Sequence, residues 1–192
     1  MTYGLIVLVL CLLQSYVSSL LAKRFKLDRF CTFYATLLAV LIASYAWLGP
    51  AIMAGDVLYG IAVGIASFVV IGIPVFLYDN KKSRPIQKPK SVGKEIVKDL
   101  LIVSPVEELV FRGVLFSLLL PLGLIAAAII QAAVFAIWHL KFDKKFLLSV
   151  FTMALVFAFL YVVTGSILAP IVLHSLLNMG EYTLRPYMKR HL

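Results

Sequence analysis

Apolar runs, one after another and each close to the length needed to cross a bilayer, constrain this chain more than any other feature. They occupy 4–22, 31–48, 57–78, 105–120, 122–139, 146–163 and 166–182, with short connections between them. A helix of roughly 18–20 apolar residues spans the hydrocarbon core. In lipid the backbone must satisfy its own hydrogen bonds, which for runs of this kind means helix. The pattern predicts an all-α fold, a polytopic transmembrane helical bundle of about seven spans, forming a single membrane-embedded domain over 1–192. The 62% share of hydrophobic residues lies far above the roughly 45–50% of soluble domains. No stretch is long and polar enough to form a separate soluble domain.

The net charge of +9 is explained by where the charges fall, not by a nucleic-acid partner. Lys23, Arg24, Lys26 and Arg29 follow the first run. Seven basic residues lie between Lys81 and Lys98, three more at Lys141, Lys144 and Lys145, and another three at Arg185, Lys189 and Arg190. The alternate connections, at 49–56, 121–123 and 164–165, carry none. Cytoplasmic loops collect Lys and Arg, so seven spans with the N-terminus outside and the C-terminus inside put all these charges on one face. The first run is not a typical cleavable signal, because its basic residues trail it. Cys11 and Cys31 sit in apolar runs without metal or redox spacing and read as packing residues. Gly60-x-x-x-Gly64 could let another helix approach closely, but the motif is weak and ordinary packing glycines are the favoured reading. Pro74 is placed to kink the third run.

Between the third and fourth runs, 91–103 reads as an amphipathic helix at the cytoplasmic face, lying in the headgroup plane or running straight into the fourth span. Ile96, Val97, Leu100 and Leu101 form its apolar side; Lys94, Glu95, Lys98 and Asp99 form the other. Ser104-Pro105-Val106-Glu107 has the pattern of a helix start, with serine as N-cap and glutamate closing a capping box.

Glu107, Glu108 and Arg112 then break an otherwise hydrocarbon run. One charge in mid-membrane costs about 3 kcal/mol even on the lenient insertion scale, so this group must turn to partners or to a wet cavity. Glu108 and Arg112 are spaced to pair on one helix face, and Glu107 points about 100° away. His139, His174 and Asn178 fall at a similar depth under the predicted topology. Together they form a candidate constellation. Plainer readings exist for each: a buried ion pair, an interfacial histidine beside Trp138, and helix-packing polar groups at His174 and Asn178. His191 in the basic tail reads as solvated. Three chemistries fit the set. One is zinc hydrolysis held by Glu107, His139 and His174, although no His-Glu-x-x-His helix is present. The others are metal-free hydrolysis with an oxyanion site and a proton relay in a transporter.

Glu107-Glu108-x-x-x-Arg112, Phe135-x-x-x-His139 and His174-x-x-x-Asn178, in this order on successive apolar runs, resemble the CPBP family of CAAX proteases and bacteriocin-processing (Abi) enzymes. The resemblance covers 94–182; residues 1–78 carry no motif. It implies an intramembrane glutamate endopeptidase without a cofactor. Zinc is possible but is not the favoured reading. Glu107 and His139 would activate water, His174 and Asn178 would form the oxyanion site, and Glu108 and Arg112 would support the first glutamate. The substrate would be a membrane-associated peptide or protein, of bacteriocin, pheromone or CAAX-like type, and the short chain fits a bacterial plasma-membrane member. A non-proteolytic immunity or scaffold protein, or a transporter, is the competing reading.

Overall fold

A computed structural model describes residues 14, 17–26, 32–34, 36, 39, 55–79, 91–139 and 144–184. All regular structure among them is helical, as the apolar runs predict. Helix α1 covers 17–25, and α2 is described at 32–34, 36 and 39. Helix α3 joins α-helical Val57–Ser67, π-helical Phe68–Gly72 and α-helical Ile73–Asp79. Helix α4 covers 92–119, with π-helical Asp99–Val103 and Leu109–Phe116 set between α-helical turns. Helices α5 (Leu124–Trp138), α6 (Lys144–Thr164) and α7 (Leu168–Thr183) complete it. The basic connection at 80–90, the basic tail and most of the first two apolar runs lie outside the described residues.

Two described helices, Val57–Leu77 and Phe146–Thr164, are long and apolar enough to cross a membrane. Only 22% and 33% of their most apolar windows are buried within the protein, so most of their side chains are at least partly exposed. Leu58 is 79% and Ile125 76% exposed, whereas Glu108, Arg112 and Gln131 are fully buried. Hydrocarbon outside and polar groups inside is the polarity that a lipid solvent imposes.

By contacts the chain divides into two compact units, Met1–Met53 with Val106–Phe159 and Ala54–Pro105 with Leu160–Leu192. The core of the first contains Val106, Val110, Phe111, Val114 and Leu115 of α4, Ala132 and Phe135 of α5, and Ala154 of α6. In the second, α7 packs along α3 and along the first turns of α4. The glycine pair of α3 makes that approach possible. A β-carbon on Gly60 would lie 2.5 Å from Ser166 Oγ, and one on Gly64 would lie 2.7 Å from Val172 Cβ. The Gly60-x-x-x-Gly64 spacing therefore marks a close helix–helix seam, filled within this chain.

The helix start expected at Ser104 is absent. Ser104 has helical dihedrals, and its N–H bonds five residues back to Asp99 O. The helix runs through, and Pro105 follows the wide turn. α3 repeats the device, with Ile73 N–H bonding to Phe68 O just before Pro74. A proline ring inside a regular helix clashes with the carbonyl four residues back. A π turn immediately before it widens the backbone there and relieves that clash. Ser-Pro-x-Glu suits a helix start and a proline-matched π turn equally well, and here the second holds.

Candidate active site

Each of the buried acids of α4 accepts a hydrogen bond from a different side chain. Glu108 and Arg112 are both fully buried, and Arg112 Nη1 donates to Glu108 Oε1 at 2.9 Å. The pairing predicted from their spacing is thus formed. Arg112 Nη2 donates to Ala154 O at 3.2 Å, an oxygen that also accepts from Gln131 Nε2 at 3.1 Å. The guanidinium lies 4.7 Å from the Phe135 ring centroid and 4.9 Å from that of Phe157. A desolvated cation on an aromatic face gains about 2 kcal/mol, so the apolar walls themselves help hold the charge. Glu107 is 6% exposed. Its Oε1 accepts from the Tyr34 hydroxyl of α2 at 3.1 Å.

His139 closes the C-terminus of α5. Its Nδ1 lies 2.8 Å from Phe135 O, and its ring centroid is 4.8 Å from that of Phe135. A carbonyl only accepts, so Nδ1 carries a proton in this contact, and Nε2 is the ring nitrogen left to face a reactant. Phe135 touches both Arg112 and His139, which gives the Phe-x-x-x-His spacing a physical role. Tyr34, Gln131 and Phe157 lack any short-range sequence signal and emerge only from packing.

The remaining residues of the set belong to the second unit. His174 is buried on α7. Asn178, one turn on, donates from Nδ2 to Ser104 Oγ at 3.4 Å. Another turn on, Tyr182 hydrogen-bonds Asp99. His174, Asn178 and Tyr182 thus continue one face at steps of four, a spacing legible in the sequence but passed over for Tyr182. Asp99 lies inside, while Val97, Leu100 and Leu101 face out, which reverses the polarity expected for a helix meeting water. Within each unit, among the described residues, no three His, Cys, Asp or Glu side chains cluster as a metal site requires.

Asp99 stands ahead of the fourth apolar run, and burial pushes its carboxyl above 3.8. The Tyr182 hydrogen bond, His174 and Lys98 oppose that rise, and Glu95 adds to it. A raised folded-state value means that the protonated carboxyl contributes stability fully below 3.8 and loses it as pH climbs through the folded value. Asp99→Asn is therefore expected to flatten the dependence of Tm on pH above that point in detergent. Parallel curves for variant and parent would contradict this account.

Residues 95–180 match the family model described as type II CAAX prenyl endopeptidase Rce1-like. No curated protein and no solved structure matches the chain. The matched stretch contains Glu107, Glu108, Arg112, His139, His174 and Asn178; Tyr34 and Tyr182 lie outside it. Over residues 95–180, with their buried acid pair and arginine on apolar helices, the chain is similar to the Rce1-like family of type II CAAX prenyl endopeptidases.

Proposed function

We propose that this chain is an intramembrane glutamate endopeptidase that hydrolyses a peptide bond in a membrane-associated peptide or precursor, of bacteriocin, pheromone or CAAX-like type. The observation that carries this reading is the division of labour between adjacent acids. Arg112 closes on Glu108, whereas Glu107 meets the neutral hydroxyl of Tyr34. A carboxylate ion-paired in that way is a scaffold, whereas one that accepts from a neutral hydroxyl can still exchange protons. In this mechanism Glu107 takes a proton from water as the oxygen attacks the scissile carbonyl, and His139 Nε2 orients that water. Asn178 has a second amide N–H beyond the one given to Ser104. With His174 it stabilises the oxyanion. The proton held by Glu107 passes to the leaving amine as the tetrahedral intermediate collapses.

Comparative peptidomics tests this reading without knowledge of the substrate. Cells carrying Glu107→Gln are expected to accumulate a precursor that wild-type cells process. Identical peptide profiles would overturn the proposal.

We also place the chain in a bacterial plasma membrane with the basic connections cytoplasmic, on the one-sided distribution of Lys and Arg. In a variant lacking Cys11 and Cys31, cysteine at Asp56 is expected to react with an impermeant maleimide from outside. Cysteine at Ser83 should react only after permeabilisation. The reverse pattern would invert the topology and open the site to the outer face.

A further inference from the structure

The family match begins at residue 95, and the N-terminal runs carry no motif. Yet Glu107 Oε1 accepts from a side chain 73 positions earlier, the Tyr34 hydroxyl. We propose that Tyr34 is a positioning residue for Glu107, fixing one carboxylate oxygen so that the other addresses the reacting water. This rests on the reading of Glu107 as the general base.

A base must present its lone pair within about 2.6–3.2 Å of the proton that it takes. Glutamate is poorly suited to hold that aim alone, because its terminal torsion is broad. The α-helical backbone of Ser104–Glu108 fixes where the side chain starts but not that torsion. A phenol is a rigid arm by comparison, and this one is anchored. The Phe33 ring stands edge-on to Tyr34 at 5.1 Å and lies 5.6 Å from Trp138, the residue before His139. Trp138 in turn meets Phe111 of α4 at 6.1 Å. α2 is also tied to the first apolar run, where the buried Gln14 donates to Phe33 O and Thr36 Oγ1, each at 2.6 Å. The arm that reaches Glu107 is thus braced against the end of α5 that carries His139. On this account the N-terminal helices do more than hold the chain in lipid. They complete the base.

The test uses the full-length protein, in cells and purified in detergent. The carboxyl infrared band of Glu107 is isolated as the difference between parent and Glu107→Gln, and the measurement is repeated on a Tyr34→Phe background. The band is expected to shift when the hydroxyl is removed. The precursor that accumulates in Glu107→Gln cells should accumulate in Tyr34→Phe cells too, with processing slowed about 10- to 100-fold, the rate equivalent of one hydrogen bond to a charged group. Protein level and Tm should match the parent. An unmoved band overturns the proposal, as does processing at the parental rate or a loss that follows a fall in Tm. If Glu107→Gln itself accumulates nothing, the protease reading fails and takes this proposal with it. If Glu107→Gln accumulates precursor and Tyr34→Phe does not, only the role of Tyr34 fails.

Discussion

Glu107→Gln is expected to fold like the parent and to cleave at least about 100-fold more slowly, the lower end of what a positioned general base contributes. The amide is nearly isosteric with the acid. It keeps an oxygen to accept from Tyr34, so this contact between α2 and α4 survives. The substitution also leaves Arg112 paired, because that cation closes on Glu108. What disappears is the capacity to take a proton from water. Cleavage rate and Tm measured side by side in detergent separate chemistry from folding. A variant of normal Tm and parental rate would demote Glu107 from base to packing group, and the non-proteolytic reading would then describe the protein better.

Arg112→Ala should behave in the opposite way, failing as a structure before it fails as an enzyme. Arg112 is fully buried, and its removal leaves the Glu108 carboxylate inside the protein without its cation. Breaking a buried pair on one side costs about 3–5 kcal/mol. The same change withdraws a donor from Ala154 O and empties the space beside Phe135 and Phe157. Poor expression or a sharp fall in Tm is expected. Arg112→Ala combined with Glu108→Leu should recover much of the stability, since an apolar replacement of a buried pair is often neutral or better, while leaving the protein inactive. Recovery of both stability and cleavage in the double variant would show that the ion pair has no part in supporting Glu107.

Much of the candidate site is legible in the sequence, because charge in a hydrocarbon run has few physical outlets. Glu108 and Arg112 stand four apart, and helical geometry alone brings them together. His139 is readable from Phe135, whose backbone oxygen and ring it does meet. Other parts are not legible, for definite reasons. Tyr34 reaches Glu107 across 73 residues, and no local period encodes such a contact. Asp99 was expected on the polar outer side of an amphipathic helix. That expectation takes a uniform 3.6 residues per turn, and the π turn that opens at Asp99 departs from it. Ser104 resembles an N-cap because short local patterns do not reveal whether a helix already runs through them. Its hydroxyl instead accepts from Asn178.

The π turn at Asp99–Val103 has the effect of a one-residue insertion that the helix has absorbed. Five residues of regular helix would leave Asp99 and Ser104 about 140° apart. The wide turn brings both to α7, where one meets Tyr182 and the other Asn178. Deleting one residue from 100–103 would restore regular bonding and swing everything upstream by about 100°. Asp99 would turn away from Tyr182, although no residue of the Glu-Glu-x-x-x-Arg motif had changed. The length of the stretch before the acid pair, as much as its composition, therefore decides which side chains the last helix meets. A deletion of a single residue there would alter the wiring of α7 with every motif position intact.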